Sequence, residues 1–274
     1  MSRKAPPPKF TDAQPAMAGE ADVVLVRMLV DDSGSVHGHE HKLINGTNAG
    51  IQEIIATDGS RGKYLMEISG LNGIFCRKLA AVCDDHMISA NDYPSSQYGY
   101  GGTALYDSTL TMLKQQKADF DLLRAEGIRV RTASIVLTDG FDRHSSPGSL
   151  DELRPLANEM SDGLDHNLFG IGINVGATDP DLAQHVTRRS TANKYGLLGR
   201  IFGLDKQTPG DGSDNLGFPT EYHVAFQKLM GFDGPGAVII EAENSADSIA
   251  AAMREASQSI TRTGAAGRNV KQAF

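Results

Sequence analysis

The sequence of 274 residues predicts an α/β protein built on a mostly parallel sheet with helices on both faces. Two observations lead to this prediction. Short apolar runs alternate along the chain with segments whose apolar residues recur at helical spacing. The first run, from Val23 to Val30, is apolar at every position except Arg27, as in a strand that is buried on both faces. Such alternation of strands and helices favours parallel strands joined by helical crossovers.

In the first half of the chain, four further elements follow from spacing and turn residues. A helix is predicted over 44–55, where apolar residues lie three and four positions apart. The runs 64–68 and 73–79 are separated by a short sequence that contains Gly and Asn, which indicates two strands joined by a turn. A second helix is predicted over 103–123, because its apolar side chains fall on one face.

The second half of the chain continues the alternation. A short helix is predicted over 150–160, and another near 221–229. Ser245 is a predicted N-cap for the last helix, whose apolar residues from 249 to 260 form one stripe. The strands predicted in this half are 130–137, 168–175 and 237–240.

The folded domain is predicted to span residues 21–262. Residues 1–20 are rich in Pro and Ala and predict a disordered N-terminal arm. Residues 263–274 are polar, basic and rich in Gly and Ala, which predicts a flexible tail. The connection over 177–217 is far longer than a usual link between a strand and a helix, so we interpret it as an insertion.

The charge and the apolar content argue against a nucleic-acid-binding, a membrane-spanning or a secreted protein. Lys and Arg total 26 against 34 Asp and Glu, so the net charge is −8, and the excess acid lies away from the termini. An acidic body argues against nucleic-acid binding, which depends on basic side chains that displace counterions, and favours a cation site. The apolar runs are too short to span a bilayer, and the N-terminus lacks the apolar stretch of a secretory signal.

The two cysteines, Cys76 and Cys83, are too few for a disulfide framework. We therefore expect free thiols in a reducing compartment, which favours a cytoplasmic protein. Both side chains are predicted to be small buried apolar groups.

Oxygen-bearing side chains stand at three places where predicted elements begin or end. The sequence Asp31-Asp32-Ser33-Gly34-Ser35 directly follows the first strand, Thr103 opens a helix after two glycines, and Asp139 ends a strand. Parallel sheets bind ligands beyond the carboxyl ends of their strands, so we expect these oxygens to converge. Hydroxyl and carboxylate oxygens suit Mg²⁺ rather than zinc or copper. Taken alone, each pattern is also that of an ordinary turn or helix cap.

In this combination and order, the sequence resembles the von Willebrand factor A-type (vWA) domains that carry a metal-ion-dependent adhesion site (MIDAS). The resemblance covers roughly residues 22–262 and implies a doubly wound sheet with one antiparallel edge strand. The chain departs from the family pattern at Asp32, an additional carboxylate, at Val36, where Met is frequent, and in the 177–217 insertion. The residues that match the metal-binding motif are Asp31, Ser33, Ser35, Thr103 and Asp139.

The resemblance also implies that the site holds Mg²⁺, with Mn²⁺ or Ca²⁺ as alternatives. Ser33, Ser35 and Thr103 would supply neutral oxygens, whereas Asp31 and Asp139 would hold water and hydroxyls around the ion. A cation with mostly neutral ligands keeps its attraction for anions, so an Asp or Glu of another protein can complete its coordination. We therefore expect a non-enzymatic adaptor or assembly factor of an intracellular prokaryotic type. Its partner would be an AAA+ ATPase or a stress or defence complex.

Two other functions stay open on the sequence alone. A Mg²⁺-dependent phosphoesterase would use Asp31 or Asp139, although no general base or nucleophile with a positioned partner is visible in the sequence. A structural module with a vestigial site is the other. His37, His39 and His41 are interpreted as a solvated helix start rather than a transition-metal site, because no further ligand cluster accompanies them.

Overall fold

A six-stranded sheet forms the centre of the structure, a computed structural model that describes residues 23–58, 63–96, 99, 101–140, 142–162, 165–174, 226 and 230–266. The strands are β1 (Val23–Val30), β2 (Tyr64–Gly70), β3 (Cys76–Ala81), β4 (Val130–Thr138), β5 (His166–Asn174) and β6 (Ala237–Glu243). The α-helices of the described ranges are α1 (Glu40–Asp58), α2 (Leu105–Ala125), α3 (Ser149–Asp162) and α4 (Ala246–Ala266). The strands lie in the order β3-β2-β1-β4-β5-β6.

The direction in which the chain adds strands reverses at β1. This strand pairs in parallel with β2 on one side and with β4 on the other, and β5 and β6 continue the parallel arrangement. At the opposite edge, β3 runs antiparallel to β2. The predicted fold class, a doubly wound and mostly parallel sheet with one antiparallel edge strand, is thereby confirmed. The reversal places the carboxyl ends of β1 and β4 at the point where such sheets bind ligands.

In the described ranges, two helices cover each face of the sheet. Helices α1 and α4 pack on one face, α2 and α3 on the other, and every residue of β1 between them is buried. The contact between α1 and α4 depends on glycine. A Cβ at Gly46 would overlap the side chain of Ile249, and a Cβ at Gly50 would lie 3.0 Å from Cε of Met253. This close contact fixes α1, the helix that follows the sequence from Asp31 to Ser35.

Arg27, the charged residue of β1, is buried with 2% of its surface exposed. Its Nε donates to Oε2 of Glu67 on β2 at 3.1 Å, and its Nη1 donates to Oε1 of Gln116 on α2 at 2.6 Å. Its Nη2 forms an ion pair with Asp119 on the same helix. A buried charge is tolerated only when it is paired and hydrogen-bonded, and these three partners meet that requirement. Arg27 therefore joins α2 to the centre of the sheet.

The prediction that Cys76 and Cys83 are buried is wrong, because both are exposed. Cys76 begins β3, an edge strand whose residues are all exposed or half-buried. Cys83 lies just beyond the end of the same strand. Among the described strands β3 has a neighbour on one side only, so these positions lack the packing that a central strand would give them.

Several predicted segments lie outside the described residues. They are the arm at 1–20, the insertion at 177–217 and the helix near 221–229. In this last segment, Phe226 is the one residue that the structure describes. At the other end of the chain, α4 continues to Ala266, beyond the predicted domain boundary at residue 262. None of the helices in the described ranges combines the length and the apolar character that a bilayer crossing requires.

Candidate metal centre

Asp31 follows β1, is fully buried, and has a carboxylate that is held by three donors. Its Oδ1 accepts the N–H of Ser33 at 2.8 Å, the bond that Asp commonly makes with the residue two positions on. Its Oδ2 accepts the hydroxyl of Thr138 at 2.6 Å and the N–H of Asp139 at 3.3 Å. The carboxylate is thus fixed between the ends of β1 and β4. Thr138 was not identified from the sequence as a residue that orients Asp31. Its one signal in the sequence is its position directly before Asp139.

The two serines of the motif connect β1 to Asp139 through their hydroxyls. Ser33 Oγ and Ser35 Oγ lie 2.9 Å apart, and Ser35 Oγ donates to Oδ1 of Asp139 at 2.7 Å. The turn that carries them is anchored by Val36, which is fully buried. An apolar anchor is what the turn needs there, so Val in place of the more frequent Met leaves the motif in position.

Thr103 reaches the same place from a separate segment. The N–H of Gly34 donates to the carbonyl of Gly101 at 3.1 Å, which ties this segment to the serine turn. Thr103 is 7% exposed. A Cβ added to Gly140 would lie 3.7 Å from Oγ1 of Thr103 and 3.9 Å from Oγ of Ser35, so both hydroxyls border one small space. The five residues predicted to ligate a metal are therefore brought together by the fold.

The hydroxyl of Thr103 is not a helix cap. Helix α2 begins at Leu105, and no side-chain cap bond is made by the residue that precedes it. Its first free N–H groups are satisfied from the loop after β4, where Asp142 accepts from the N–H of Tyr106 at 3.1 Å and Ser145 from that of Asp107 at 3.0 Å. Within the described residues, Oγ1 of Thr103 has no hydrogen-bond partner. The helix-cap explanation for this threonine is thereby removed.

Asp32, the additional carboxylate, faces away from these oxygens. Its Oδ1 accepts the N–H and the side-chain amide of Asn72, both at 2.8 Å, and its Oδ2 accepts the N–H of Ile74 at 3.1 Å. A Cβ at Gly70 would overlap the carboxylate, so Gly is required where β2 ends. Asp32 therefore stabilises the turn between β2 and β3 and adds no ligand to the cluster of oxygens.

The two carboxylates of the cluster are electrostatically unfavourable neighbours. Burial, together with the negative charge of Asp31, raises the pKa of Asp139 from 3.8 to about 7, although the hydrogen bond from Ser35 acts in the opposite direction. Only 4% of the surface of Asp139 is exposed. Removal from water and like-charge repulsion both disfavour the ionised form. A bound cation would offset both, because it supplies the positive charge that the ionised pair needs.

The chemistry of the cluster fits a hard divalent cation. Its donors are three hydroxyls and two carboxylates, which are the oxygen ligands that Mg²⁺ accepts. In the part of the chain that the structure describes, no group of three or more His, Cys, Asp or Glu side chains is arranged to hold a metal. The neighbouring histidines at 37, 39 and 41 are exposed, as expected for a solvated helix start. Any metal site here therefore depends on the hydroxyls.

Comparisons with known proteins identify the fold. No protein-family model matches the sequence, and no curated protein is significantly similar to it. Among solved structures, the pilus adhesin SpaC from Lactobacillus rhamnosus GG in its open conformation is 14% identical with a TM-score of 0.54, and the match covers 89% of this chain. Proximal thread matrix protein 1 from the mussel byssus, with a zinc-occupied MIDAS motif, is 18% identical with a TM-score of 0.33; the match covers 57% of this chain and 40% of that one.

These likenesses differ in what they support. The present chain spans 31% of the length of the SpaC chain that it matches, so the similarity concerns one portion of that adhesin. At 14% identity, the likeness to SpaC shows a shared fold and carries no residue roles. The chain thus has an α/β fold that also occurs in a pilus adhesin, and any function has to be argued from its oxygen cluster.

Proposed function

We propose that this protein is a metal-dependent protein-interaction module. In this proposal, Asp31, Ser33, Ser35, Thr103 and Asp139 hold one Mg²⁺, and a partner protein contributes an Asp or Glu side chain. The observation that carries the proposal is the hydroxyl of Thr103, which borders the Ser35 hydroxyl and has no hydrogen-bond partner within the described residues, although the residue is only 7% exposed. The resemblance to vWA domains supports the same residues independently of the structure.

The residues of the cluster divide into ligands and supports. The hydroxyls of Ser33, Ser35 and Thr103 are neutral and would approach the cation directly. Asp31 is held by Thr138 and by backbone N–H groups, so its carboxylate is oriented before any ion arrives. A Mg²⁺ bound in this way would supply a Lewis acid that attracts a carboxylate from outside the chain. By the resemblance alone, that carboxylate would belong to an intracellular partner such as an AAA+ ATPase.

The described residues support binding better than hydrolysis at this site. A hydrolase would require a side chain positioned to accept a proton from a nucleophile. His144, which contacts Thr103, already accepts the N–H of that residue through Nδ1 at 3.2 Å and so lacks a free basic nitrogen in its neutral form. We therefore propose a binding function rather than a phosphoesterase.

Metal binding by matched threonine variants tests the proposal. Thr103→Val removes the hydroxyl and keeps the shape, whereas Asp31→Ala would also leave three donors unpaired. We expect wild-type protein to bind one Mg²⁺ or Mn²⁺ per chain in titration calorimetry, and Thr103→Val to bind at least about tenfold more weakly, the size of effect that loss of site groups causes. Thr111→Val, an exposed position on α2, serves as the control. Equal affinity in wild type and Thr103→Val would refute the proposed site.

A further inference from the structure

The loop that follows β4 closes over the backbone of Thr103. The N–H groups of Arg143 and His144 donate to the carbonyl of Thr103 at 3.0 and 3.3 Å. In return, the N–H of Thr103 donates to Nδ1 of His144 at 3.2 Å. The backbone carbonyl and the backbone N–H of Thr103 are thus both hydrogen-bonded to the short stretch Arg143–His144 of the loop. The backbone contacts do not depend on which side chain stands at position 144.

The ring of His144 is fixed against the neighbouring glycine. A Cβ at Gly102 would overlap the imidazole, so the ring lies directly on the backbone there. Because Nδ1 uses its lone pair to accept from Thr103, the proton of the neutral ring is on Nε2. The side chain is exposed, and within the described residues Nε2–H has no acceptor. His144 therefore presents an oriented donor beside a proposed metal ligand.

We propose that His144 is a specificity-determining residue that donates Nε2–H to the carboxylate a partner brings to the metal. This inference rests on the proposed function of the site. When one oxygen of a carboxylate binds a cation, the second oxygen can still accept a hydrogen bond. The hydroxyl of Thr103 borders the cluster, and the backbone N–H of Thr103 contacts the His144 ring, so the proposed cation and the ring would both contact this one residue. An Asp or Glu can satisfy both at once, whereas a ligand with a single oxygen satisfies one.

The test separates metal binding from carboxylate binding. Affinity for Mn²⁺ is measured first by electron paramagnetic resonance of the free ion. Affinity for the peptide acetyl-Gly-Asp-Gly-amide is then measured from the Mn²⁺-induced broadening of its aspartate proton signals, with the Asn peptide as the neutral comparison. His144→Ala removes the donor, His144→Gln replaces it with an amide that can both accept and donate, and His39→Ala is the control at another exposed histidine.

We expect His144→Ala to bind the Asp peptide about tenfold more weakly than wild type, the effect of losing one hydrogen bond to a charged group. His144→Gln should recover part of this loss, and His39→Ala should match wild type. Affinity for Mn²⁺ should change by no more than about twofold, because the backbone bonds to Thr103 persist. The preference for the Asp over the Asn peptide should narrow in His144→Ala.

Failure can be assigned to one proposal or the other. If wild-type protein does not bind Mn²⁺, the proposed function is wrong and the role of His144 falls with it. If Mn²⁺ binds but His144→Ala binds the Asp peptide as wild type does, only the role of His144 is overturned. If His144→Ala loses Mn²⁺ affinity instead, His144 supports the ligand Thr103 and the donor role is refuted. Should His144→Ala not fold, histidine ring NMR of Mg²⁺-loaded wild type decides, because peptide addition should protect Nε2–H from exchange.

Discussion

Replacing Asp139 with Asn should stabilise the metal-free protein and abolish its metal binding. In the folded state the pKa of Asp139 is raised from 3.8 to about 7. A carboxyl group with a raised pKa contributes stability that is fully present below its unfolded pKa and is lost as the pH rises through the folded pKa. The shift of about three units corresponds to about 4 kcal/mol, since one unit is about 1.4 kcal/mol. The Asp139→Asn substitution removes the charge and keeps an oxygen that can accept from Ser35.

Urea denaturation in EDTA measures this effect. At about pH 8, where wild-type Asp139 is mostly ionised, we expect Asp139→Asn to unfold with a free energy about 2–4 kcal/mol higher than wild type. The difference should shrink as the pH falls toward 4, because the wild-type carboxyl then becomes protonated. Mg²⁺ at about one hundred times its dissociation constant should add about 2.7 kcal/mol to wild type and little to the variant.

Asp85→Asn provides the matched control, because Asp85 is exposed and distant in sequence from the cluster. It should change the free energy of unfolding by less than about 0.5 kcal/mol at either pH. If Asp139→Asn is no more stable than wild type at about pH 8 in EDTA while this control is neutral, the two buried carboxylates do not repel each other as described. The electrostatic argument for a cation would then be refuted.

Two further predictions concern stability away from the cluster. Arg27→Ala should lower the free energy of unfolding by about 3–5 kcal/mol, because it leaves Asp119 with an unpaired buried charge, whereas the exposed Arg124→Ala should cost less than about 1 kcal/mol in the same urea titration. Burial lowers the pKa of His166 from 6.5, so the unfolded state binds more protons and stability should fall as the pH drops below that value. His166→Gln should reduce this dependence, and an unchanged pH profile would contradict the assignment.

The central strands and the order of the site residues could be predicted from sequence because both depend on local patterns. A strand buried on both faces must be apolar nearly throughout, and β1 is predicted within its observed bounds. Oxygen-bearing residues directly after such strands must lie near the carboxyl edge of the sheet. These conclusions need no knowledge of distant contacts.

The features that the sequence did not reveal depend on contacts between distant segments. Helix α2 begins at Leu105 rather than at Thr103, because its caps come from Asp142 and Ser145 in the loop after β4. The strand predicted at 73–79 is observed at Cys76–Ala81, since the preceding residues form the turn that Asp32 holds. The long-range contacts of Asp142, Ser145 and Asp32 cannot be identified from sequence spacing. The observed ends of these elements therefore differ from the predicted ones, whereas the predicted fold class is unaffected.

The hydrogen bond between Asp31 and Asp139 joins residues 108 positions apart, which has a consequence for folding kinetics. Contacts between distant segments cost loop-closure entropy before they are formed, so they are slow to nucleate. The cluster thus cannot form before β4 docks beside β1, and Thr103 is held in place only after the loop beyond β4 has closed. A ligand whose site is assembled after the transition state slows unfolding and leaves the folding rate nearly unchanged. If the cluster is completed after the transition state, a cation bound there would therefore lengthen the lifetime of the native state.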